Sequence, residues 1–138
     1  MTITERYLKH LNEGFWDSRE KKDGIKLYND VVKDVHSEFN RYSAMKEKEM
    51  NDRIERAAYN RKTSENEFQG LKLKYIFEFH IANIKKTIEL THKYKKNCLG
   101  NKICLAKADE AIEENKKVLE ALERQLIEID NHLKKFHN

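Results

Sequence analysis

"KKNCLGNKIC", residues 95–104, holds both cysteines of the chain and the only glycine after Gly70. On its N-terminal side Phe77, Ile81, Ile84, Ile88, Thr91, Lys95 and Cys98 recur at alternating steps of four and three. On its C-terminal side Leu105, Ala108, Ile112, Asn115, Leu119, Leu122, Leu126, Ile129, Leu133 and Phe136 resume the same alternation. That period keeps a stripe on one side of a helix, and two such stripes separated by a short glycine-containing link predict a chain that folds back on itself. Gly100 suits the left-handed residue that ends a helix, and Asn101 either tolerates the same conformation or caps the next helix. Folding back here would set Cys98 beside Leu105, Thr91 beside Ile112, Ile84 beside Leu119, Ile81 beside Leu122 and Phe77 beside Leu126. Residues 71–138 are therefore expected to form an antiparallel coiled-coil helical hairpin.

Within that link Cys98 ends one arm and Cys104 begins the other, a geometry that admits a disulfide. Closing so short a loop would contribute on the order of 2 kcal/mol. Two idle thiols are the alternative, and the one an intracellular chain favours. Both readings stay open. A metal centre asks for more: zinc takes four ligands, and the nearest histidine, His92, lies almost two helical turns before Cys98. Glu89 and His92 have the Glu-x-x-His spacing of di-iron bundles, but no second copy accompanies them, so a solvated pair is expected. His80, beside the Phe77 and Ile84 stripe, reads as a partly buried bystander.

The hairpin carries further apolar residues along one side: Leu73, Ile76, Leu90 and Tyr94 on the first arm, Ala111 and Val118 on the second. Something must cover them. Ile25, Tyr28, Val32, Val35, Phe39 and Tyr42 form a second well-defined helical face, which would either cover that side or bind another protein. Beyond Met45 the pattern thins to Met50, Ile54, Ala57 and Ala58 among charges of both signs. A charged helix over 25–69 would be roughly 67 Å long at 1.5 Å per residue. Ahead of it, residues 1–24 read as an arm and connector. Thr2 and Glu5 match a capping box before Tyr7, Leu8, Leu11 and Phe15, with a short amphipathic helix ending near Gly14. Phe15 and Trp16 would pin the arm to an apolar partner, and residues 17–24 would form a polar link.

Composition agrees with this all-α, three-helix-bundle-like reading of a single domain. The 138 residues include no proline and four glycines, and 38% are charged, so turns are scarce and solvated helix faces abundant. The net charge of +4 is a small difference between 28 basic and 24 acidic side chains, which does not demand nucleic acid. No apolar run approaches a membrane span, and the N-terminus lacks the pattern of an export signal, so a cytoplasmic chain or one inside a viral particle is expected.

Lys85, Lys86, Lys93, Lys95, Lys96 and Lys102 surround the hairpin link and supply the best argument for a nucleic-acid contact. Asp109, Glu110, Glu113, Glu114 and Glu120 on the opposing arm are expected to neutralise much of that charge. Asn115 falls on a stripe position, where a polar residue sets register or oligomeric state. No phosphate loop, nucleophile elbow or zinc-protease motif is present, and no cofactor or small-molecule substrate is expected. The leading expectation is a non-enzymatic structural protein that self-associates or docks into a larger assembly, a phage particle component being one such setting for a lysine- and asparagine-rich chain. A nucleic-acid-binding accessory protein and a regulatory protein with one host target are the alternatives.

Overall fold

A computed structural model describes the backbone of residues 3–137 and the side chains of residues 19–137. Within those residues the chain is helical without strands: α1 (Ile3–Ala58), α2 (Glu65–Tyr94), a 3-10 turn (Lys95–Cys98) and α3 (Lys102–Lys134). Each of the three helices packs against the other two. At 1.5 Å per residue α2 is about 45 Å long and α3 about 50 Å.

The link at residues 95–104 is built from three local devices. The 3-10 turn shortens the end of α2, and Leu99 and Gly100 then take positive φ of 52° and 75° and reverse the chain. Asn101 caps α3, its side-chain oxygen accepting from the backbone N–H of Cys104 at 3.0 Å. Cys98 and Cys104 are joined by a disulfide, with Cα atoms 5.4 Å apart. Beyond the link, contacts between α2 and α3 involve rising numbers on one helix and falling numbers on the other: Lys95 with Asp109, Lys74 with Asp130 at 3.0 Å, Glu67 with His137 at 2.7 Å.

The core lies against the disulfide. Both cysteines, Leu90, Val31 and Val35 form one buried cluster, with Leu27, Tyr28, Phe39, Tyr94 and Leu105 packed around it. Ala108, Ile112 and Thr91 are buried at the same end. Away from it Ile81, Leu133 and Glu67 are the buried side chains among the described residues. Gly24 brings α1 onto α3: a Cβ there would stand 2.5 Å from Ile103 Cβ.

Three expectations change. The helix expected over 25–69 ends at Ala58, because residues 59–63 turn and Ser64 starts α2 by accepting from the Glu67 N–H at 3.2 Å. The first arm of the expected hairpin therefore begins at Glu65. Gly24, expected in a polar connector over 17–24, is buried inside α1, where its missing side chain permits the approach to Ile103. Gly70, which falls between the helix expected over 25–69 and the hairpin expected over 71–138, lies inside α2 beneath Leu133 for the same reason. The side chains of Tyr7, Leu11, Phe15 and Trp16, expected to dock the arm, lie outside the described residues.

Candidate interaction surfaces

Helix α1 reaches α2 and α3 through the face that the sequence offers to a partner. Val35 is buried, Tyr28 and Phe39 pack on the core, and Val32 and Tyr42 are half-buried. Ile25, at 38%, is the exposed member. Most of this face therefore meets the chain's own helices. Val31, 1% exposed, is more deeply buried than any of the six and was missed because it falls beside Val32 on the stripe; a helical stripe is wide enough to bury adjacent positions.

Polar contacts fix α1 along α2. Glu38 Oε1 accepts from Lys93 Nζ at 2.7 Å and from the Tyr94 hydroxyl, while Asn97 Nδ2 donates to Asp34 at 3.3 Å. The hydrogen bond from Lys93, then that from Tyr94, holds the Glu38 carboxyl below its ordinary range, and the same contacts raise Lys93 and Tyr94 above theirs. Further along, Arg53 pairs with Glu78 at 2.6 Å and its guanidinium lies 4.2 Å from the centre of the Tyr75 ring. On the α3 side, burial and then the Glu114 and Glu110 carboxylates push the Tyr28 phenol above its ordinary value.

Between the three helices, next to the core, is a cavity of about 210 Å³. Its walls are mainly apolar, from Tyr28, Val32 and Phe39 on α1 and Ala111 on α3, with His36, Thr87, Thr91 and Asn115 as polar members. Thr87 and Thr91 turn their hydroxyls back to the carbonyls of Asn83 and Thr87, as threonines do when no other acceptor is near. Small-molecule sites are usually larger than this.

The lysines divide into two groups. Lys86 pairs with Glu89, Lys93 with Glu38 and Lys95 with Asp109. Lys85, Lys96 and Lys102 are exposed and form no ion pair with the described residues. Neutralisation thus comes from Glu38 and Glu89 as well as from the α3 carboxylates, of which Asp109 alone makes a direct pair with this cluster among the described residues. Glu89 and His92 are both exposed, as is His80, and no group of three or more metal-ligating side chains occurs among the described residues. No described helix is long and apolar enough to cross a membrane.

Exposed apolar side chains occur at both ends of the α2–α3 pair, with Leu99 in the link the most exposed. Leu73 is 45% exposed, Val118 47% and Ile127 60%, while Ile76, Leu122 and Ile129 are half-buried. The single buried side-chain polar atom without a hydrogen-bond partner among the described residues, Asn83 Oδ1, also lies beyond the core on α2.

Comparisons of the chain with protein-family models, with curated proteins and with solved structures found no match.

Proposed function

We propose that the chain is a non-enzymatic assembly protein that self-associates or docks into a larger protein assembly, with α2 and α3 acting as an antiparallel coiled-coil hairpin. A viral particle is the setting that the proline-free, lysine- and asparagine-rich composition suits. The observation that carries this reading is the lopsided core. Most buried apolar side chains gather around the disulfide, whereas on the rest of α2 and α3 only Ile81 and Leu133 are buried among the described residues and the other apolar residues remain partly in water. Burying apolar surface contributes roughly 25 cal/mol per Å², so long helices with uncovered apolar positions gain by association.

Sedimentation equilibrium over a wide concentration range tests self-association. A defined oligomer is expected; a mass of 16.5 kDa at every concentration would leave docking onto a foreign protein as the surviving form of the proposal. The bridge between Cys98 and Cys104 uses both cysteines of the chain, so the same run in reductant should leave the mass unchanged; a mass that falls would mean that the cysteines join different chains instead.

One observation favours a second reading, nucleic-acid contact: Lys85, Lys96 and Lys102 stand exposed without ion pairs among the described residues. Binding through them would weaken steeply with salt, and affinity that is flat from low to moderate salt removes that reading. A single-target regulatory role through the Ile25 to Tyr42 face is disfavoured, because that face is largely occupied by α2 and α3.

A further inference from the structure

Cys98 and Cys104 are both 0% exposed, although Leu99 beside them in the link is 81% exposed. Two helices joined by a short link leave their flanks wet, so a third element is needed to enclose the bridge. Helix α1 supplies it. Leu90, Tyr94 and Leu105 of the hairpin pack at the cysteines, and the rest of the cluster comes from α1: Val31 and Val35, both buried, with Leu27, Tyr28 and Phe39 around them. The same part of α1 is fastened to the link beside each cysteine. Asn97, just before Cys98, donates to Asp34 at 3.3 Å, and Ile103, just before Cys104, lies against Gly24. One turn earlier, Lys93 and Tyr94 donate to Glu38.

We infer that α1 is a cover over the bridge, and that a thiol reaches either sulfur only when the part of α1 over the link lifts away while α2 and α3 stay paired. Reduction begins when a thiolate attacks one sulfur, forming a mixed disulfide and expelling the other cysteine as a thiolate that takes up a proton. A second thiol of the reductant then displaces the cysteine still bound, leaving two protein thiols and a reductant disulfide. The first attack needs access to a sulfur, and neither cysteine has exposed surface while Val31 and Val35 are seated. Lifting α1 suffices because the hairpin has fastenings of its own far from the link: Lys74 with Asp130, Glu67 with His137, and Leu133 over Gly70. Segments held by different contacts open separately. The lifetime of the bridge in a reducing medium is therefore set by how firmly α1 is docked.

The test follows reduction of the folded full chain by excess dithiothreitol. Timed samples are quenched in guanidinium with excess N-ethylmaleimide, and the mass separates bridged chains from reduced ones. The natural chain should be reduced about 100-fold or more slowly than the same chain unfolded in urea, and its rate should rise with urea less steeply than the unfolding equilibrium does, because lifting one segment bares less surface than unfolding. Gly24→Ala, which pushes α1 off Ile103, and Val31→Ala, which thins the cover, should each speed reduction about fivefold or more. The control Leu133→Ala removes a buried side chain at the far end of the hairpin and should leave the rate within about twofold while lowering the melting temperature. Circular dichroism verifies that each variant is folded. Free thiols in the untreated chain, reduction as fast as in the unfolded chain, or a urea slope equal to that of unfolding would each overturn the cover. So would rates that follow the melting temperatures, with Leu133→Ala accelerated like the other two, since the bridge would then open only by unfolding of the whole chain.

Discussion

Alanine at Gly24 would put its Cβ 2.5 Å from Ile103 Cβ and 2.7 Å from the Asn101 side-chain oxygen, atoms anchored close to the α3 backbone. The helices would have to separate, and overpacking of that kind costs about 1–3 kcal/mol, more than the roughly 1 kcal/mol that alanine gains over glycine within a helix. At Gly70 the close atom is Leu133 Cδ2 at 2.7 Å, the far end of a side chain that can rotate. Urea titrations should therefore show Gly24→Ala destabilised by about 1 kcal/mol and Gly70→Ala unchanged or up to about 1 kcal/mol more stable. Glycine in a sequence does not declare which use it serves. Gly100 turns the chain, and its neighbourhood of cysteines and asparagine made that legible; Gly24 and Gly70 allow helices to approach, and nothing local distinguishes that use from punctuation.

Helix ends were legible where a cap has a sequence pattern. Ser64 and Glu67 have the Ser-x-x-Glu spacing of a capping box, a signal that would have ended the second predicted helix early had the charged run before it not read as continuous. The disulfide belongs to the same scale, since it ties the end of α2 to the start of α3. Unfolding in reductant should lower stability by about 2 kcal/mol against the oxidised chain, with the helical circular dichroism of the folded state retained because Val31, Val35 and Leu90 still pack. Such a bridge is opposed by the thiol-reducing systems of an ordinary cytosol, which sets it against the cytoplasmic expectation. The contact of α1 with α2 through Glu38 carries a pH dependence. A carboxylate whose folded value is depressed contributes stability above its unfolded value and loses it as pH falls through the folded one. Lys93 and Tyr94, both raised, contribute below their unfolded values and lose that contribution as pH rises through the folded ones. Stability measured by urea should thus fall in acid below the ordinary glutamate range and again in strong alkali, and Glu38→Gln should flatten the acid limb.

Across the whole molecule, protection should track the core. Amide exchange is expected to be slowest around Val31, Val35, Leu90, Cys104 and Ala108 and faster in α3 beyond Val118, where most side chains are less buried; uniform protection along α3 would contradict the lopsided core. Three packed helices and a chain reversal near Gly100 could be read from apolar period and turn chemistry, because both are local properties of the chain. Which residues of α1 meet α2 could be read in part, as the Ile25 to Tyr42 stripe, because helix faces are set by spacing. The tertiary structure decided where that stripe stops covering its neighbours. The direction in which one helix crosses another is set by contacts far apart in sequence, Gly24 on Ile103 and Arg53 on Glu78 among them, and no local pattern encodes it. The chain thus wrote its helices and their apolar faces into local order, and left to long-range packing the choice of which face stays open.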